Sequence, residues 1–126
     1  MAPTIFKTIE ASEFLIPEGC YIIEIMNQAG VDFSIARARV EPGVTTAIHK
    51  VNGTTECYYI LHGTGLVKSG NQMKGNVGRG DVVMFSPGAP QTITNTGNED
   101  LIFLAICCPR FVKEAYVDLE DEQRPA

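Results

Sequence analysis

The sequence contains no apolar run that approaches the ~20 residues of a membrane-spanning helix. Its first residues, Met-Ala-Pro-Thr-Ile-Phe-Lys, lack the long apolar core of a secretory signal. Basic residues are also few, ten against fifteen acidic ones, so the formal net charge is -5. Because binding to nucleic-acid phosphates or to anionic membranes requires a basic face, this balance argues against both partners. We therefore expect a cytoplasmic protein.

Cysteine is scarce and wrongly spaced for a structural framework. The four cysteines are Cys20, Cys57, Cys107 and Cys108, with no CxxC spacing, and the adjacent pair is poorly suited to disulfides. In a reducing cytosol the simplest interpretation is four free thiols that fill small apolar positions on strands.

What is present points to one small β-rich domain. The 126 residues are enough for a single core, and we expect one domain over residues 1–126. Hydrophobic residues make up 44% of the chain and charged residues 20%, which is typical of a globular protein. Twelve Gly and seven Pro lie between short apolar runs, a pattern that predicts many turns and many short strands.

The predicted strands follow one another at turn signals spaced about 8–12 residues apart. Residues 4–18 have no clear periodicity and are interpreted as a peripheral strand or an irregular arm that ends at the turn Pro17-Glu18-Gly19. A short helix is predicted over Phe111–Leu119, because apolar residues there fall at helical spacing. The class is therefore an all-β barrel or sandwich. The predicted strands cover 20–27, 32–40, 45–51, 56–61, 66–69, 73–77, 82–85, 91–95 and 101–108.

A candidate site lies where two of these strands meet. His49 falls near the end of one strand, the polar turn 52–55 follows, and Glu56 begins the next strand. Two strands joined by a short turn aim these side chains at one point. Tyr58 shares a face with Glu56, because side chains alternate along a strand.

The spacing of motif residues resembles that of the cupin superfamily. The first motif of that family, G(x)5HxH(x)3-4E(x)6G, resembles Gly43-x5-His49-x-Val51-x4-Glu56-x6-Gly63. The second, G(x)5PxG(x)2H(x)3N, resembles Gly80-x5-Ser86-x-Gly88-x2-Gln91-x3-Asn95. The resemblance covers roughly residues 20–119, with the motif-bearing core over about 20–108 and a tail over 109–126. It implies a double-stranded β-helix, or jelly-roll barrel, with the site in the barrel mouth, and commonly a homodimer.

The resemblance also implies a metal site, carried over residue by residue. Family members hold a metal with three histidines and one glutamate, and here only His49 and Glu56 stand, while Val51 and Gln91 replace two histidines. His49, Glu56 and Gln91 are the remaining candidate ligands for a weakly held Zn, Mn, Fe or Ni. A protein without any metal is the alternative.

Three functions remain open for a small polar organic ligand. The first is an enzyme that uses a metal for oxidation, isomerisation or lyase chemistry. The second is a metal-free isomerase or epimerase in which Glu56 orients His49 as acid or base, with Tyr58 as a second proton donor. The third is a binding or sensor domain without catalysis. The sequence does not decide whether the protein is an enzyme.

Other polar residues receive simpler interpretations. Arg37 and Arg39 share a strand face that we expect to point outward, although an inward face would make them anchors for an anionic substrate. His62 is expected at the surface, Cys57 faces away from the pocket, and Tyr58 also fits a core position with a satisfied hydroxyl.

Overall fold

The computed structural model describes residues 2–71 and 73–120, and these residues form short antiparallel strands. The remaining part of the predicted tail, 121–126, lies outside the described residues. Single 3-10 turns occur at Glu10–Ser12 and Lys113–Ala115. The strands are β1 (Phe14–Leu15), β2 (Tyr21–Met26), β3 (Ser34–Val40), β4 (His49–Val51), β5 (Thr55–His62), β6 (Thr64–Ser69), β7 (Met73–Gly78), β8 (Val82–Phe85), β9 (Thr92–Asn95), β10 (Leu101–Cys108) and β11 (Tyr116–Asp118).

The strands form one large sheet and two small ones. The large sheet has six strands in the order β1-β2-β3-β10-β5-β8, and the small sheets are β11-β4 and β7-β6-β9. Isolated bridges, Thr45 with Thr94 and His49 with Gln91, connect the small sheets edge to edge. The result is two facing layers with crossover connections, which confirms the predicted jelly-roll barrel.

Alternation along the strands places the core between the two layers. The most deeply buried apolar side chains come from both layers, because each layer turns one face of its strands inward. They include Ile23, Val40, Ile60, Ile93 and Leu101, each at most 2% exposed.

The turn between β5 and β6 requires glycine at its motif position. Gly63, between β5 and β6, has a φ of 85°. A Cβ built there would lie 2.8 Å from the Asp100 carbonyl oxygen. Both the positive φ and the close backbone therefore require glycine at this crossing.

Two strand predictions are confirmed to the residue, and one is wrong in length. The runs Val82–Phe85 and Leu101–Cys108 have the same bounds in the structure as in the prediction. The predicted strand over 45–51 is wrong in length, since regular pairing begins only at His49. Thr45 makes an isolated bridge instead, because the chain there crosses from one layer to the other.

The predicted helix over Phe111–Leu119 is wrong. That segment contains the 3-10 turn and then strand β11, whose residues Tyr116, Val117 and Asp118 pair with Val51, Lys50 and His49. Strand formation prevails over the helical spacing of apolar residues because the backbone N–H and C=O groups of β4 need hydrogen-bond partners, which β11 provides. Tyr and Val also favour strands.

Arg37 and Arg39 lie on the outward face of β3, as expected. Arg39 donates to Glu13 at 2.7 Å and to Asp100 at 3.2 Å, while Arg37 reaches Glu10 and Glu13. This ion-pair network lowers the pKa of Glu13, chiefly through its hydrogen bond to Arg39. The network fixes the N-terminal arm against the large sheet and removes both arginines from the pocket.

The four cysteines are free in the structure, with Cys20 and Cys107 buried, Cys57 partly buried and Cys108 exposed. In residues 2–71 and 73–120, no helix has the length and apolarity required to cross a membrane.

Candidate functional site in the barrel cavity

A cavity of about 290 Å³ opens between the layers, and its wall is mainly apolar. The large sheet contributes β2, β3, β5 and β10, while β4, β11 and the N-terminal arm close the remaining sides. Aromatic rings come from Phe14, Tyr58, Phe103, Phe111 and Tyr116. The ionisable side chains deep in the wall are Glu18, His49 and Glu56.

His49 is held rigidly by backbone and ring contacts. It is 3% exposed, and its Nδ1 lies 2.8 Å from the carbonyl oxygen of Ala47. Because a carbonyl only accepts, Nδ1 carries the proton in this contact, and Nε2 is directed elsewhere. The Tyr116 ring stacks on the imidazole with centroids 5.2 Å apart. The orientation of Nε2 is therefore fixed by the fold.

Glu18 is the group that Nε2 of His49 meets. Its Oε1 lies 3.2 Å from that nitrogen, and its side chain is 12% exposed. Burial raises the pKa of Glu18 to about 7. The contact is a hydrogen bond when a proton lies on either of these two atoms, Oε1 or Nε2. The predicted partner of His49 was Glu56, and the structure places Glu18 there instead.

Glu56 lies beside this pair and is also buried, at 8% exposure. Burial is the main cause that raises its pKa, and hydrogen bonding to Gln91 and the nearby charge of His49 oppose it. Its Oε1 has no hydrogen-bond partner among the described residues. A buried acceptor without a partner is uncommon and marks a position where a ligand would find a contact.

Tyr58 and Gln91 complete a polar chain that ends at Glu56. The Tyr58 hydroxyl donates to Oε1 of Gln91 at 2.8 Å, and the Gln91 side chain is in turn hydrogen-bonded to Glu56. Burial raises the pKa of Tyr58 well above its ordinary value. The ring packs against Phe85 and Phe103. Tyr58 thus occupies a core position with a satisfied hydroxyl while lining the cavity.

The structure brings together all four residues that the sequence singled out: His49, Glu56, Tyr58 and Gln91. Gln91 and His49 exchange backbone hydrogen bonds of 2.7 and 3.3 Å across the junction of the small sheets. His62 lies at the surface, with its side chain 52% exposed and 3.4 Å from Glu99, as predicted. Cys57 does not line the cavity, also as predicted.

Two site residues were missed from the sequence. Glu18 lies in a Pro-Glu-Gly turn that reads as an ordinary exposed turn, and only the packing of the arm against β4 buries it. Tyr116 lies in the segment predicted as a helix. The sequence gives one local signal for Glu18 as a site residue. Its carboxylate lies between a proline and a glycine, just before a predicted strand.

The side chains around the cavity offer few donor atoms to a divalent metal. In the described parts of the chain no three His, Cys, Asp or Glu side chains are grouped as a metal site. His49 Nε2 and the unpartnered Oε1 of Glu56 suit a borderline or hard cation, while the oxygen of Gln91 already accepts from Tyr58. These residues fit a metal only as a sparse set that water would complete.

Two facing antiparallel layers that enclose a small cavity with buried ionisable groups define a jelly-roll β-barrel. Residues 36–107 match the family model described as the cupin domain. The chain therefore belongs to the cupin domain family, as the motif spacing predicted.

Relatives of known sequence and structure fit this family. The chain is 35% identical over 104 residues to an uncharacterized protein of Methanocaldococcus jannaschii, covering 80% of this chain and 82% of that protein. It is 41% identical over 71 residues to a protein of Thermotoga maritima named oxalate-binding protein, covering 56% and 58%. The crystal structure of a predicted oxalate decarboxylase from Thermotoga maritima has a TM-score of 0.75 and 27% identity, covering 84% of this chain and 99% of that one.

The raised pKa of Glu18 predicts a pH-dependent stability. Between its ordinary pKa of 4.5 and its folded pKa of about 7, the folded state holds the proton and the unfolded state releases it. The free energy of unfolding therefore falls as pH rises through this window. In Glu18→Gln that loss is absent. Between pH 4.5 and pH 8, the free energy of unfolding of the variant therefore rises by about 2–3 kcal/mol relative to that of the wild type.

Urea denaturation across pH 4.5–8 measures this difference, with the exposed Glu114→Gln as the matched control. A difference between Glu18→Gln and wild type that stays constant over the whole range would contradict the assignment.

Proposed function

We propose that this cupin binds a small organic molecule with a polar group inside the barrel cavity, and that His49 exchanges a proton with it. The observation that carries the proposal is the convergence of Glu18, His49 and Glu56 on one mainly apolar cavity. Cavities of this kind, with few placed polar groups, are the usual form of small-molecule sites. The name of the Thermotoga maritima relative, an oxalate-binding protein, supports a small organic ligand.

The reaction that these groups suit is a proton transfer of the isomerase or epimerase type. Ala47 fixes the imidazole through Nδ1, and the carboxyl group of Glu18 lies 3.2 Å from Nε2. A ligand that displaces Glu18 from Nε2 would meet a base, or an acid if the proton remains on His49. Tyr58 is a second candidate proton donor, although its hydroxyl first has to leave Gln91.

Filling the cavity should abolish binding. Ala36 lies on β3, lines the cavity and is paired with Ala105 of β10, which also lines it. We expect Ala36→Phe to occupy the ligand volume and to weaken binding of a neutral probe, benzyl alcohol, at least ten-fold. Chemical-shift titration by NMR measures this, with Ala29→Phe in an exposed turn as the control. Equal binding by wild type and Ala36→Phe would place the ligand outside the cavity.

A weakly held divalent metal is the second candidate, and the unpartnered Oε1 of Glu56 favours it. His49 and Glu56 would hold the ion, with Gln91 as a weak third ligand. Bound there, it would supply Lewis acidity toward a ligand oxygen. Glu18 has to release Nε2 of His49 first, so the affinity is expected to be low.

Restoring a donor at Val51 tests the metal candidate. Val51 is buried on the same face of β4 as His49 and lines the cavity. Val51→His should therefore tighten binding of Zn²⁺ or Ni²⁺ at least ten-fold, and His49→Ala should abolish that gain. Calorimetric titration of each metal measures the affinities, with Lys50→His on the opposite face as the control. If Val51→His binds Zn²⁺ and Ni²⁺ no more tightly than the wild type, the metal-binding proposal is wrong.

We also propose that the protein forms a homodimer through the outer face of β5 and β8. Tyr59, Leu61, Val82 and Met84 are 41%, 37%, 59% and 66% exposed on this face. Register places Tyr59 beside Val82 and Cys57 beside Met84, so the apolar surface is continuous. The four side chains carry no charge, and two copies can meet there without like-charge repulsion.

Placing a charge in this face should dissociate the dimer. Met84→Lys is expected to raise the dimer dissociation constant at least ten-fold, because two buried ammonium groups would have to be desolvated. Sedimentation velocity measures it, with Asn76→Lys on exposed β7 as the control. A wild-type protein that is monomeric at millimolar concentration would refute this proposal.

A further inference from the structure

We infer that the cavity selects an organic cation, namely a protonated amine on a small apolar or aromatic body, with its ammonium group at Glu56. The inference rests on the proposed function, because it names the class of molecule that the same cavity binds.

The first argument is the unpartnered acceptor. Oε1 of Glu56 is buried, has no hydrogen-bond partner in the described residues, and belongs to a side chain that lines the cavity. An ammonium group carries three N–H donors and no acceptor. It would satisfy this oxygen with a charge-assisted hydrogen bond, which a carboxylate ligand has no donor to make.

The second argument is the sign of the cavity's charge. Glu18 and Glu56 lie in the wall, and Glu24 lies at its exposed rim. The one basic residue among the described lining residues, apart from His49, is Lys113, and it is exposed. Nε2 of His49 already faces Glu18 at 3.2 Å, and Arg39 is turned outward toward Glu13. An anion would therefore lose its hydration without gaining a cationic partner.

The third argument is the shape and nature of the walls. A cavity of roughly 150 Å³ already accommodates benzene. At about 290 Å³, this cavity has room for a ring with a short side arm. Rings such as Tyr58, Phe103 and Tyr116 line it, and aromatic faces attract cations. The body of the ligand is thus apolar and its head is positive.

Three probes of similar size and different charge test the inference: benzylammonium, benzyl alcohol and benzoate. Each is titrated by NMR or calorimetry at neutral pH, with a chelator present so that no stray metal covers Glu56. We expect benzylammonium to bind at least ten-fold more tightly than benzoate, with benzyl alcohol between them. Glu56→Gln should weaken binding of benzylammonium at least ten-fold and weaken binding of benzyl alcohol by a smaller factor. Glu41→Gln, the same change in an exposed turn, should change neither.

The possible failures are distinguishable. Benzoate binding as tightly as benzylammonium, or an unchanged preference in Glu56→Gln, overturns the inference and leaves small-molecule binding intact. No binding of any of the three probes overturns both the inference and the proposed function. If circular dichroism shows that Glu56→Gln is unfolded, the relative affinities of the three probes for the wild-type protein alone test the inference.

Discussion

The backbone exchange between His49 and Gln91 is the contact on which the architecture of the site depends. Its two hydrogen bonds join the small sheet β11-β4 to the small sheet β7-β6-β9. That junction, together with the bridge between Thr45 and Thr94, joins the two small sheets into one layer that closes over the cavity. The same junction brings the imidazole of His49 and the amide of Gln91 beside Glu56. The same backbone contact therefore helps to close the barrel and positions the side chains of the site.

The site combines groups that are costly to bury. Two carboxyl groups, Glu18 and Glu56, lie in a largely apolar wall, and burial raises the pKa of each. Glu18 has Nε2 of His49 beside it at 3.2 Å, whereas Glu56 is only partly compensated by hydrogen bonding to Gln91 and Cys107. Buried groups left in this condition are typical of functional sites, since stability alone would replace them with apolar residues. The arginine network on the outside has the complementary role of holding the arm that carries Glu18.

In this chain Val51 and Gln91 stand where the family pattern has histidines, so fewer donors are available to hold a metal. A bound metal would supply positive charge to the cavity. The ammonium group that we propose would bring that charge with the ligand. The scarcity of metal donors and the proposed class of ligand are thus consistent with one another.

The sequence by itself determined the all-β class, most strand positions, and the proximity of His49, Glu56, Tyr58 and Gln91. It could do so because alternation and turn residues act locally, and because the motif spacing reflects a fixed barrel geometry. Only the tertiary structure decided that Glu18 is the partner of His49, that Arg37 and Arg39 point outward, and that Tyr116 belongs to a strand. Each of these depends on contacts between segments distant in the chain, where burial and the need to pair backbone groups override local preference.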